Sequence, residues 1–290
     1  MNPAIGHMVV ASFAFALSGV AVHGLGSDGW DLALLSRALF GLPFATAFFL
    51  TSANKSGGNW RNQPLLARST TAVCFLAFLY FVLQKYSPGE SFTLASMRPL
   101  WVAGLSMLLG LGRVKWIFWP LSSIAITGIA LMEGAQMTVG FEFAVTTICI
   151  GLLGGISTLA IDFCKGQDTQ FMTLHLTITM LLIALIAVVA NGHFKEISTI
   201  ANNGNSLALY SAAGLGGTIY QIFSIKAVKK IGAVSGSAIA LMATLFAWGM
   251  GHLIWKEPSQ ISSIIGIILA LVPCSYLVFG GSLLLSKSTP

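Results

Sequence analysis

The sequence predicts an all-α polytopic membrane protein, with ten transmembrane helices arranged as two inverted five-helix repeats. Three observations lead there. Of 290 residues, 56% are hydrophobic and only 8% charged, at a mean hydropathy of +0.84, whereas a soluble domain carries about 25% charged residues. Ten segments are apolar over the about 20 residues, or about 17 at the short end, that a membrane helix needs. A shift of 145 residues then brings like residues of the two halves into register.

In chain order the spans run from Ala4 to Leu25, Leu32 to Ser52, Leu66 to Gln84, Ser91 to Leu109 and Trp116 to Met132 in the first half. Phe143 to Phe163, Phe171 to Ala190, Ser206 to Ala227, Ala233 to Ile254 and Ile261 to Leu285 follow in the second. The opening "MNPAIGHMVVASFAFALSGV" has no basic n-region, so it reads as a membrane helix and not as a cleaved signal. Short connectors such as "GSDGWD" and "KYSPGE" carry turn residues.

Basic residues set the orientation. With both termini in the cytoplasm, Lys55, Arg61, Arg68, Arg113, Lys115, Lys165, Lys226, Lys229, Lys230 and Lys287 fall inside, against Lys85, Lys195 and Lys256 outside. That places a multi-pass chain in the cell (inner) membrane, with the lipid bilayer as its first partner. The net charge of +6 is thereby accounted for as topogenic, and nucleic acid is not expected as a partner.

Five spans per half is an odd number, which forces residues 141–290 to insert upside down relative to residues 1–140. Inverted repeats are a hallmark of secondary transporters. The 145-residue shift pairs Phe75 with Tyr220, Phe78 with Phe223 and Trp101 with Phe246, so aromatics recur at matched places on spans three, four, eight and nine.

Several chemistries are disfavoured. Cys74, Cys149, Cys164 and Cys274 lack metal-ligand spacing, and His7, His23, His175, His193 and His252 form no metal-binding constellation, so no metal or other cofactor is expected. Paired acids, or a nucleophile with its base, are missing from the spans, which argues against an enzyme. The longest early loop, Thr51 to Pro64, leaves no room for a soluble sensor domain.

Three stretches resemble the drug/metabolite transporter superfamily, in particular its ten-helix EamA-type permeases. They are "LLSRALFGLPF", "YFVLQKYSPGESFTLASMRPLWVAGLSMLLGLG" and "KKIGAVSGSAIALMATLFAWGMGHLIWKEPSQISSIIGIILAL". Glu257 and Gly266 match that family's acidic corner and packing glycine in the second half; Gly112 and Arg113 depart from it in the first. Pro99 fits the proline common in the fourth span, and Ala243 and Thr244 stand where the ninth often has one. The resemblance implies passage of a small organic molecule through a cavity between the halves.

Arg98 is the first candidate for that site. It lies about seven residues, or roughly 10 Å, inside span four, where an arginine costs about 2.5 to 3.5 kcal/mol on insertion scales and needs a wet cavity or a partner. Pro99 beside it cannot donate to the carbonyl of Ala95 and so loosens the helix there, as a gating element would. Arg98 with a freed carbonyl suits a carboxylate held in bidentate fashion. Trp101 is one turn further on, and Phe75, Phe78, Tyr220, Phe223 and Phe246 supply further aromatic walls. Ser12 and Ser157, 145 apart, offer hydroxyls. Asp162 is a candidate proton relay for coupling, with Lys165 as an alternative ion-pair partner. Arg37, near the outer end of span two, has a stem long enough to reach headgroups, Asp28 or Asp31. "GLLGG" and "GLGG" let helices approach closely.

The expectation is a secondary transporter that exports a small-molecule metabolite such as an amino acid by alternating access, as a monomer or a homodimer. A second reading takes a nucleoside-like or anionic metabolite, transported or exchanged; a third is a membrane sensor without transport.

Overall fold

The computed structural model describes residues 3–26, 29–51, 58–111, 113–132, 141–164 and 166–256, with isolated positions between 262 and 286. Twelve α-helices lie among them: α1 (Pro3–His23), α2 (Trp30–Leu50), α3 (Gln63–Leu83), α4 (Pro88–Ala95), α5 (Arg98–Leu108), α6 (Phe118–Met132), α7 (Phe141–Phe163), α8 (Thr169–Asn191), α9 (Glu196–Asn202), α10 (Gly204–Ile231), α11 (Ala233–Ile239) and α12 (Met242–Trp255). Arg113–Val114 pairs with Leu285–Ser286 over two residues only. Most of the tenth span, together with Asp28, Gly112, Lys165 and Glu257, lies outside the described residues.

Hydrocarbon offers backbone groups no hydrogen bonds, so an apolar run of this length satisfies itself as helix. Six stretches are long and apolar enough to cross a membrane: α1, α2, α3, most of α7, α8, and α11 with α12. The ends are set by local chemistry. Pro64 stands in the first turn of α3, whose Leu65 N–H donates to the Asn62 side chain; Gly192 closes α8 in the left-handed conformation.

Spans four and nine depart from the expectation of single helices. The fourth divides into α4 and α5 around Ser96–Met97, and the ninth into α11 and α12 around Ala240–Leu241. Pro99 sits in the first turn of α5, where a missing N–H is no loss, so it begins a new helix instead of bending an old one. Both breaks are tight turns with bonds to the third residue back, Leu100 N–H to Met97 and Thr244 N–H to Leu241. The Ser96 and Thr244 hydroxyls lie 2.9 Å apart and both reach the Phe92 carbonyl, at 2.9 and 3.3 Å. The fifth span is described as α6, up to the last described residue before 141.

The bundle interleaves early and late helices. α1 packs on α10 and α12; α2 on α8 and α10; α3 on α7 and α8; α5 on α7; α4 on α12; α11 on α5. Glycine permits the closest of these approaches. A Cβ at Gly216 of α10 would stand 2.9 Å from the Ala14 carbonyl oxygen of α1, a backbone atom that cannot turn aside. Gly216→Val should therefore destabilise the bundle by about 1 to 3 kcal/mol, the usual cost of overpacking. A lowered melting midpoint in detergent would register it, and an unchanged midpoint would show that α1 and α10 are not in this contact.

Candidate functional site: a cationic cavity inside the bundle

Six helices surround a narrow cavity of about 40 Å³. α2 contributes Arg37; α3 contributes Arg68, Ala72, Phe75 and Leu76; α5 contributes Arg98. Gly154, Ser157, Thr158 and Ile161 come from α7, Leu176 from α8, and Tyr220, Gln221 and Ser224 from α10. Three arginines thus line one cavity whose described walls include no aspartate or glutamate. The three side chains are almost wholly buried, and a buried charge is stable only when partnered or hydrated.

Their roles separate on hydrogen bonding. Arg37 donates from Nη1 to the Tyr80 hydroxyl at 2.9 Å and from Nη2 to the Gly217 carbonyl at 3.0 Å, tying α2 to α3 and α10. The lack of a Cβ at Gly217 makes this possible, since one would lie 2.5 Å from the guanidinium carbon. The expected escape of Arg37 to headgroups or Asp31 is corrected: at 1% exposure it turns inward. Asp31 is occupied by Asn191 and His193. Arg37→Ala should cost about 1 to 3 kcal/mol, because two hydrogen bonds from a buried charged donor are lost; Tyr80→Phe should cost less, since one bond of Arg37 remains. A stability comparison of the two variants in detergent checks that order.

Arg98 donates from Nη1 to the Tyr220 hydroxyl at 3.1 Å, and its guanidinium carbon stands 5.7 Å from the centre of the Phe75 ring, within reach of a cation–π attraction. Its Nε meets no hydrogen-bond partner among the described residues, and neither do Nε and Nη1 of Arg68. Nε of Arg37 is likewise unpartnered among the described residues, so the cavity is lined by arginines from three helices with unused, desolvated donors. Gly154 leaves room for Arg98 and Phe75, as a Cβ there would lie 3.1 Å from Arg98 Cδ and 3.0 Å from Phe75.

Of the residues singled out from sequence, Arg98, Phe75, Tyr220 and Ser157 meet at this cavity. Phe15 joins the two aromatics, stacked 4.3 Å from Tyr220 and 6.2 Å from Phe75. The others lie elsewhere. Trp101 fills the space left by Gly151 and Gly155 on α7, and Phe246 meets Phe13 edge-on. Phe223 lies against His7, and Phe78 is on the outside, 39% exposed. Ser12 donates to the Met8 carbonyl of its own helix. Pro99 lines a small neighbouring cavity between the two helix breaks. Asp162 accepts the Ala233 N–H at the start of α11, a helix-end contact. Sequence reasoning missed Arg68, Gln221 and Ser224; Arg68 was counted among the topogenic charges.

Apolar helices of membrane-crossing length around a buried polar cavity define a multi-pass membrane protein with an internal polar cavity. Residues 144–279, slightly under half of the chain, match the EamA-like transporter family, and the chain fits the drug/metabolite transporter superfamily. The match points to a membrane transporter of that kind. A solved structure described only as "Crystal structure of protein" matches with a TM-score of 0.72 and 13% identity, over 97% of this chain and 98% of that one. At that identity the likeness establishes the fold alone. In all, 28 chains of solved structures match, while no curated protein does.

Proposed function

We propose that this protein is a secondary transporter that moves a small anionic metabolite through the central cavity by alternating access, with Arg98 as a ligand of its anionic group. The observation that carries the reading is the meeting of buried, incompletely bonded arginines with no acid among the described lining residues. Such a site attracts an anion and leaves an amino acid's ammonium group without a carboxylate, so of the expected substrate classes the anionic metabolite gains over the amino acid.

Two inverted halves, residues 1–140 and 141–290, form the moving parts in this proposal. The helix breaks support it: Ala95 and Ile239 close the first segments, Arg98 and Met242 open the second, and each pair is 144 positions apart. So does the packing, in which α1 on α10 mirrors α7 on α3, and α4 on α12 mirrors α11 on α5. Discontinuous helices near the midplane are where transporters of this construction bind and gate. Export from a cytoplasm that holds both termini, in the cell (inner) membrane, is the direction and orientation we propose.

Counterflow in proteoliposomes tests the function. Organic anions should exchange across the membrane, with amino acids weaker, and a pH gradient should reveal whether protons couple. If neither anions nor amino acids exchange, the transporter reading fails and the sensor reading replaces it. Right-side-out against inside-out vesicles decides the direction.

A further inference from the structure

We infer that the cavity selects a small organic dianion, held jointly by Arg98 and Arg68. The inference rests on the reading of the cavity as the substrate site. Arg68 comes from α3 and Arg98 from α5, at 4% and 5% exposure, and both line the same space. Two like charges desolvated together repel, and the repulsion strengthens as the dielectric falls. A chain that merely stapled its helices there would set an acid between them; none is among the described lining residues.

Arg37 marks the contrast. Its Nε is also without a partner among the described residues, but both of its terminal nitrogens are used, on Tyr80 and on the Gly217 carbonyl, so it belongs to the wall. Arg68 leaves Nε and Nη1 unused and Arg98 leaves Nε unused, which is what a ligand-binding fork looks like before its ligand arrives. Neither has a counterpart in the other half: the 145-residue shift sets Ala213 opposite Arg68 and Ala243 opposite Arg98. Symmetry of the scaffold therefore does not require them. A monoanion would neutralise one guanidinium and leave the other buried and charged, whereas a dianion satisfies both. The two negative charges can come from a dicarboxylate or from a phosphate monoester, and the same pair of donors suits either.

The test uses the purified full-length protein and four probes at constant ionic strength: succinate, glycerol 3-phosphate, lactate and alanine. Stabilisation of the melting midpoint in detergent reads binding, and counterflow reads transport. Succinate or glycerol 3-phosphate should bind more tightly than lactate and alanine, and the better of the two names the source of the charge. Arg68→Gln should weaken dianion binding at least about tenfold, the scale of one charge-assisted contact, and lactate binding by clearly less. Should Arg68→Gln fail to fold, Arg68→Lys keeps the charge and loses the fork, and should still show a weakened dianion preference.

Equal affinity for lactate and succinate, or a dianion preference that survives both Arg68 variants, would overturn the inference while leaving the anion transporter standing. If none of the probes binds and Arg98→Ala changes nothing, the substrate-site reading falls as well, and the inference with it.

Discussion

Arg98→Ala should abolish transport while the protein still folds. The side chain is buried beside Phe75, gives one bond to Tyr220 and keeps Nε free of any partner among the described residues. A charge-assisted contact made in such a site and then truncated costs about 2 to 5 kcal/mol, a loss of about thirtyfold to several thousandfold in binding. Folding should tolerate the change, because removing a lone buried cation also removes its desolvation cost. Arg98→Lys separates charge from geometry. Lysine offers a point charge on a flexible stem, so at least about tenfold should still be lost if the anionic group is gripped by a fork. Tyr220→Phe removes only the hydroxyl that positions Arg98, and about 1 kcal/mol, or roughly fivefold, is the expected effect. Substrate titrations should rank the losses in that order. Transport by Arg98→Lys at the wild-type rate would sink the bidentate assignment, and wild-type behaviour of Arg98→Ala would sink the site.

The second large effect is expected at the other buried polar cluster, where α2 begins and α8 ends. Asp31 is fully buried and accepts from Asn191 Nδ2 at 3.0 Å and from His193 Nδ1 at 2.9 Å. Gly29 accommodates the knot with a left-handed φ of 99°, and a Cβ there would meet Asp31 at 2.6 Å. The carboxylate also sits in the first turn of α2, where the helix dipole favours it. This is a tie between the first and second halves of the chain at one end of the bundle. Hydrogen bonds to a charged group are worth about 1.5 to 3 kcal/mol, so Asp31→Ala should favour opening at that end by about ten- to a hundredfold. Asp31→Asn should fall between. A cysteine in place of buried Leu32, in a chain otherwise free of cysteine, should then react faster with an impermeant maleimide. An unchanged rate in the Asp31→Ala background would show that the contact does not hold the bundle closed.

Depth was the informative signal in the sequence, and it worked for one arginine of three. Arg98 is far from either end of its span, so hydropathy alone marks it. Arg68 is the sixth residue of α3 and Arg37 lies near the start of α2, where a long side chain has an easy way to the headgroups. Whether it takes that way depends on the face it occupies, and the neighbours on that face belong to distant parts of the chain. Gly217 makes the place for Arg37 from 180 residues away. The matched aromatics divide for the same reason: Phe75 and Tyr220 share the cavity through Phe15, while Phe78 and Phe223, only three residues further along their helices, face other surroundings.

By itself the sequence determined that the chain belongs in a membrane and which stretches form its long apolar helices. Those are local properties, fixed by transfer free energy and by the need of each backbone group for a partner in hydrocarbon. Only the tertiary structure decided that spans four and nine are broken, that three arginines line one cavity, and that the topogenic reading of Arg68 was incomplete. Rotation and register between helices are set by close packing among residues far apart in the chain, and those contacts have no signature in any one segment.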